Sequence, residues 1–489
     1  MAGYRGGFAG GVSAALLVIT VAGCNFAPDF VTPQVGVPLE YRNDPAAAKE
    51  DEAVSSLPRP ASKWWEAFAS GELNGIVEEA LANNHDLKAA ALRIAQSNAQ
   101  ESIAESVMMP TLGITSKNTL SAPRAGQGAR ADTVDGRSER LWLIGGTVSY
   151  ELDLWGKNRG GIDAAVANAL VSVYDRDTIA TTLVADVVNA YLQYVQAADR
   201  VHVAQRTIAS MSTGLQATID RVRIGESTEI ELAQQRTQLA TARATIPPLM
   251  RNREEARNRL AGLMGRSPSA LHIETESIEA LKVPMVAPGV PSDLLRRRPD
   301  IRKAEASLMA ANANIGVARS KLLPTFALTG ERGLASQSLE VMLRPLSIYY
   351  TLTAQVTATI FDWGKSAAEI DSAKQRHAEL VENYRQAVLN SLRDVEDALV
   401  ATRYTAETEM AQAEVVRWAR QSLSLAEEAF RLGMVDFLYL LESERSSFAA
   451  EDARVQVRYS RLLGSVLLFK ALGGGTDDPP PEDKDKEKG

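Results

Sequence analysis

Tyr150-Glu151-Leu152-Asp153-Leu154-Trp155-Gly156-Lys157 ends in a triplet that returns 208 residues later, in Phe361-Asp362-Trp363-Gly364-Lys365. At that same shift Ile162-Asp163 meets Ile370-Asp371, Asp186-Val187 meets Asp394-Val395, and Arg223 meets Arg431. Gly225 falls on Gly433 and Gly265 on Gly473. Upstream of the triplet the shift is 214: Asp86 meets Asp300, Asn98 meets Asn312, Ala104 meets Ala318, and Pro110-Thr111 meets Pro324-Thr325. Two shifts, each constant over a long stretch, describe one duplicated unit with a six-residue length difference (214 − 208) in one loop. The copies run from about Leu81 to Gly265 and from about Leu295 to Gly473.

Each copy changes period as it is read. Leu352, Ala354, Val356, Ala358 and Ile360 alternate with Thr351, Thr353, Gln355, Thr357 and Thr359, and Ile144, Val148, Tyr150 and Leu152 alternate in the first copy. A period of two marks a strand with one apolar and one polar face. Shorter alternations follow each Pro, at Leu112 and Ile114 and at Phe326 and Leu328, so each copy offers a hairpin, about 110–153 and about 324–362. Polar loops near Ser121–Arg140 and Ala335–Ser347 join the strands. Around the hairpins the chain is Ala-rich and nearly free of Pro. Lys157 to Arg223 predicts about 100 Å of helix at 1.5 Å per residue, repeated from Lys365 to Leu432. A return helix follows each glycine turn, reaching Gly265 or Gly473, and Pro247-Pro248 should bend or break the first. Helices of this length suggest coiled-coil packing.

The ends of the 489-residue chain differ from its middle. Arg5 precedes an apolar run from about Val12 to Ala22, too short for a spanning helix but suited to a secretory signal. Val21-Ala22-Gly23 then leads into Cys24, the single cysteine, which reads as a lipidation site with Cys24 as the first mature residue. Acyl chains add about 0.8 kcal/mol of membrane affinity per buried methylene. Asn25 follows the cysteine, which favours the outer membrane. The expected organisation is a signal peptide (1–23), a lipidated extended strap (24–60), a first repeat (61–265), a linker (266–294), a second repeat (295–473) and a disordered acidic tail (474–489).

Composition narrows the function. Lys plus Arg number 53 against 61 Asp plus Glu, a net charge of −8, which argues against nucleic acid as a partner. One Cys and four scattered His suggest no metal centre. Walker A, GxSxG and HExxH motifs are missing, so the reading is that the chain is not an enzyme and uses no cofactor beyond the lipid on Cys24. Four amphipathic strands cannot close a membrane barrel, since spanning barrels have eight strands or more. An open edge in lipid is excluded by its unsatisfied backbone groups. If these strands span a membrane, several chains share one barrel.

Trp64-Trp65-Glu66-Ala67-Phe68, Asn84-His85-Asp86-Leu87, the segment 150–156, Leu294-Leu295-Arg296-Arg297-Arg298-Pro299-Asp300-Ile301, Phe361-Asp362-Trp363-Gly364 and Ala471-Leu472-Gly473-Gly474-Gly475 together resemble the outer-membrane factor family, the TolC-like, NodT-type efflux lipoproteins. The resemblance covers nearly all of the mature chain. It implies a mixed α and β fold: a homotrimeric membrane β-barrel, four strands per chain, continued by a long α-helical periplasmic tunnel. The implied function is the passive exit duct of a tripartite efflux system in the outer membrane. Its implied partners are outer-membrane lipid, a periplasmic adaptor (membrane fusion) protein and an inner-membrane pump of the resistance-nodulation-division type. The same resemblance puts the adaptor-contacting tips at Gly225, Glu226, Ser227 and at Gly433, Met434, Val435, and the acidic aperture ring at Glu442. Its lock positions fall on Glu231, Phe430 and Arg445; many relatives have Tyr in place of Phe430, so the latch here must use other pairs, among them Glu231, Arg445 or Glu444. Two other readings use the same elements: the duct of a type I secretion system, and an anchored coiled-coil scaffold with no channel. The four strand segments speak against the scaffold.

Overall fold

The computed structural model describes residues 26–43, 62–121, 139–274 and 277–474. The readings on 1–23, on Cys24 and on the tail beyond 474 lie outside the described residues.

Two helices precede the first hairpin, α1 (Gly71–Asn83) and α2 (His85–Ser106). The hairpin is β1 (Thr111–Ser121) and β2 (Glu139–Leu152), followed by α3 (Lys157–Arg223), α4 (Glu229–Ala244) and α5 (Ile246–Leu263). The short α6 (Leu294–Arg297) and α7 (Pro299–Ser320) lead into β3 (Thr325–Ser336) and β4 (Ile348–Thr357). The chain ends on α8 (Lys365–Arg431) and α9 (Phe437–Ala471). Helices α3 and α8 both hold 67 residues, and their first and last residues are related by the 208-residue shift. Among the described residues no helix is long and apolar enough to cross a membrane.

The chain divides into two compact units, each drawing on both halves of the sequence: 100–165 with 310–376 and the leading segment to 30, and 31–99 with 166–309 and 377 onward. The first holds a four-stranded antiparallel sheet in the order β1-β2-β3-β4. Its hairpin registers reproduce the duplication. Thr111 faces Ser149, and adding 214 and 208 to those numbers gives Thr325 and Thr357, which face each other in the second hairpin. The join between repeats pairs Leu152 with Phe326 and Trp142 with Ser336. It packs closely at Gly145, where an added Cβ would lie 2.9 Å from the Arg332 carbonyl oxygen. Strand β4 stops at Thr357, three residues short of the alternation's end at Ile360. The cause is its partner: Thr357 pairs with Thr325, and the residue before Thr325 is Pro324, which has no N–H to extend the ladder.

The second unit is helical, and its core gathers the aromatic motif at 64–68. Trp64 stacks on Phe469 at 4.9 Å, and Phe68 and Leu73 are fully buried with Tyr191 and Leu260. The Arg-rich run before α7 has a structural use here. Buried Arg298 donates to both Asp300 carboxylate oxygens, to Asp394 at 3.1 Å and to the Ala471 carbonyl at 3.1 Å, tying the start of α7 to α8 and to the end of α9. The double proline starts a new helix rather than bending an old one. Thr245 ends α4, and α5 begins at Ile246 with Pro in its first turn, where a missing N–H costs nothing.

Candidate channel aperture

Both long helices end in the same turn, and the glycines make it possible. Gly225 has φ 82° and Gly433 has φ 70°, a left-handed conformation that other residues adopt only under strain. At the first turn the Gly225 N–H donates to Val222 O and the Glu226 N–H to Arg221 O. At the second the Gly433 N–H donates to Phe430 O and the Met434 N–H to Ala429 O. These paired bonds form the Schellman motif, satisfying carbonyls that the helix end would leave bare. Around the turns Ile224, Leu432 and Met434 stand exposed, apolar side chains at two solvent-facing tips.

The return helices start differently. Thr228 caps α4 by accepting from the Glu231 N–H at 3.2 Å, and Glu231 accepts from the Thr228 N–H at 3.1 Å. The Ser227 hydroxyl donates to the same Glu231 carboxylate. That hydroxyl first, then the Thr228 N–H and the charge of Arg221 hold the Glu231 carboxyl below the usual range. Thr228-x-x-Glu231 is a capping box readable in the sequence, so the signal for this local role was present. In the second copy Asp436 precedes α9 without capping it by its side chain.

Glu442 and the three expected lock residues come together only in part. Arg445 Nη2 donates to Glu442 at 2.9 Å, one helical turn apart on α9, with both side chains about two-thirds exposed at 67% and 64%. A pair this exposed adds roughly 0.3–0.5 kcal/mol to the helix. Arg445 is thus held by Glu442, while Glu231 is engaged at its own helix start. Phe430 has a partner that the sequence reading did not name: the Arg221 guanidinium lies 4.8 Å from its ring centroid, and the Phe437 ring lies at 5.8 Å. A ring without a hydroxyl still offers its face to a cation. Arg221 therefore acts on Phe430 and on Glu231, linking the tips of the two repeats.

Glu444, another of the latch candidates, faces inward. It is buried at 9% exposure, its Oε2 has no hydrogen-bond partner, and burial, with the nearby Glu427 carboxylate second, pushes its carboxyl up to about 7. It converges with buried Gln235 over Gly214: a Cβ added there would lie 3.3 Å from Gln235 Nε2 and 4.0 Å from Glu444 Oε1. No sequence signal marked this cluster, because it joins α3, α4 and α9 across more than 200 residues. Among the described residues no group of three or more His, Cys, Asp or Glu could hold a metal ion. The arrangement offers a charge pair along α9 and a cation on a ring that joins the ends of α3 and α8.

Comparison with known proteins follows the duplication. The family model described as "Outer membrane efflux protein" matches residues 76–266 and again 290–474. The pyoverdine export outer membrane protein OpmQ of Pseudomonas putida is 35% identical over 443 residues, covering 89% of this chain and 93% of that protein. The cation efflux system protein CusC of Escherichia coli K12 is 27% identical over 463 residues, 94% of this chain and 98% of CusC. Among solved structures, the open state of the Neisseria gonorrhoeae MtrE outer membrane channel superposes with a TM-score of 0.81 at 29% identity, covering 92% of this chain and 98% of MtrE.

Proposed function

The chain belongs to the outer membrane efflux protein family, and on that premise we propose how its parts conduct cargo. It is the outer-membrane channel component of a tripartite efflux system, a homotrimer with a large periplasmic tunnel that works with an adaptor and an inner-membrane pump. One observation carries the duct reading at the level of this chain: among the described residues, a four-stranded sheet open at both β1 and β4. In lipid those edges leave N–H and C=O groups unsatisfied, so the spanning wall must be completed by other copies. Three copies supply twelve strands.

The duct is passive, with no catalysis of its own. Transport energy comes from the pump, and the pump sets the cargo; relatives named for pyoverdine export and for cation efflux are both similar along most of this chain. The exposed Ile224, Leu432 and Met434 offer apolar footing to the adaptor at the tips formed by Gly225, Glu226, Ser227 and by Gly433, Met434, Val435. In the resting channel three copies of Glu442 ring the aperture, and release involves Arg445, the Arg221–Phe430 contact and the capped Glu231. Lipid on Cys24 adds a second hold on the outer membrane.

The test is export in cells lacking the chain. Wild type should restore export, whereas Met434→Asp should insert as a trimer and yet restore little, because a charge at an apolar tip weakens adaptor docking. Full export by Met434→Asp would sink the tip assignment; cells that export equally well without the chain would sink the duct.

A further inference from the structure

One face of α3 carries Asp199, His202 and Arg206, spaced by successive helical turns. Together with α8, α9 and the linker after α5, that face bounds a cavity of about 530 Å³ within the helical unit. Its apolar lining is buried: Ala198 and Val203 come from α3 and Val455 from α9. Its cationic lining takes one arginine from each helix, Arg206 from α3, Arg420 from α8 and Arg454 from α9. A space of several hundred Å³ with an apolar wall and a few convergent polar groups has the form of a small-molecule site.

The carboxylates of the lining are already engaged. Arg420 Nε donates to Glu451 at 2.8 Å, and Arg206 Nη2 lies 3.5 Å from the other oxygen of the same carboxylate. Arg454 Nε donates to Glu279 of the linker at 3.1 Å. Asp199 turns one oxygen to the linker, accepting from the Ile278 N–H at 2.8 Å and from the Ser277 hydroxyl at 3.0 Å. Arg420 and Arg454 are thus held through Nε, which leaves the outer N–H fork of each guanidinium for a further acceptor. Such a fork matches a carboxylate with two parallel bonds. Among the described residues three carboxylates already line the cavity, so a dianion would meet like charge where a monoanion is accommodated.

The duplication does not repeat this cluster. At the 208-residue shift Asp199, His202 and Arg206 meet Glu407, Met410 and Glu414, so the α3 wall is no by-product of the shared helix pattern. Nor does the duct reading use it, since its sheet, tips and aperture lie on other residues. We propose that this cavity binds a small amphipathic carboxylate, with the carboxylate forked by the guanidiniums of Arg206, Arg420 and Arg454 and the apolar body laid on Val203 and Val455. A ligand held there joins α3 to α8, α9 and the linker, so its binding stabilises the helical unit by mass action.

The probe is 2-naphthoate, a fused aromatic carboxylate, titrated calorimetrically into the full-length protein held in an amphipathic polymer, with the heat of polymer alone subtracted. Wild type should bind it saturably, once per chain, with a dissociation constant below about 1 mM. Arg420→Met keeps the stem and removes the fork, and should weaken binding about tenfold or more, as should Arg206→Met. Each of these variants leaves Glu451 its other arginine, so the helices keep a link at that point. Arg417→Met, on the same helix but paired with Glu414 outside the cavity, should leave the affinity unchanged. The neutral naphthalene-2-carboxamide should bind wild type about tenfold more weakly than the acid, or less. Absence of saturable binding by wild type overturns the site. Equal affinity for acid and amide, equal affinity in wild type and both cavity variants, or a loss in Arg417→Met as large as in Arg420→Met overturns the carboxylate assignment.

Discussion

Replacing Glu444 by Gln should flatten the pH dependence of stability in the helical unit. The carboxyl is buried on α9 beside Gln235 and Gly214, with one oxygen unpartnered. Burial, and after it the Glu427 carboxylate on α8, raises it from 4.5 to about 7. The sign follows from proton counting. Below pH 4.5 both folded and unfolded chains hold the proton, so the group contributes no difference. Between 4.5 and 7 the unfolded chain releases it while the folded chain keeps it, and stability falls as pH rises. One pKa unit corresponds to about 1.36 kcal/mol, so the loss across that window is about 3 kcal/mol per subunit and constant above it. Gln has the same shape, does not ionise and can donate to the unpartnered Gln235 oxygen. Thermal unfolding of the detergent-solubilised trimer, followed by circular dichroism from pH 4.5 to 8, measures the effect. The wild-type midpoint should drop through this range relative to Glu444→Gln, most of the separation arising before pH 7. Glu427→Gln should end the drop at lower pH and make it smaller, because removing a negative neighbour lowers the Glu444 pKa towards its unfolded value. Parallel curves for wild type and Glu444→Gln would refute the reasoning.

Arg298→Ala should cost about 1–3 kcal/mol, because it removes a buried guanidinium's bonds to the Ala471 carbonyl and to Asp300 and Asp394, carboxylates that stay over a third exposed; denaturant unfolding measures it. Arg298→Lys should rescue little, since an ammonium cannot fork to two carboxylates. At the aperture, Glu442→Ala should lower cation selectivity and divalent-ion block, and Arg445→Ala should raise resting conductance, both read in single-channel recordings at low and high salt. Unchanged traces would leave the Glu442–Arg445 pair as a solvated helix face. For the anchor, Cys24→Ala should abolish acylation of the mature amino terminus, seen by mass spectrometry, and weaken fractionation with outer membrane; an unmodified wild-type terminus elsewhere than Cys24 would contradict the lipid assignment.

The duplication was legible because it rests on residues whose geometry has few substitutes. Gly225 and Gly433 mark helix ends since both turns need positive φ, and Trp-Gly-Lys marks the passage from hairpin to helix in both copies. Strand faces were legible from alternation, but the end of β4 was not, because a strand stops where its partner stops. The aperture was less legible for a similar reason. Glu444 sits in a polar run, Glu442-Ser443-Glu444-Arg445, and only the packing of α3 and α4 against α9 turns it inward. Arg221 escaped notice because its ring partner, Phe430, lies on the other repeat. Glu231 read as a lock residue by resemblance while its capping box was visible in Thr228-x-x-Glu231. Local rules reach local contacts; those that join the repeats need the fold.

The central claim, that three open sheets complete one conducting wall, is tested most directly in a planar lipid bilayer. Purified trimer should insert in uniform conductance steps, one step per three chains, with a continuous ion path across the membrane. Protein that runs as a monomer and conducts in steps of its own, or a trimer that never conducts after gate-loosening substitutions at Arg445 and Phe430, would contradict the account.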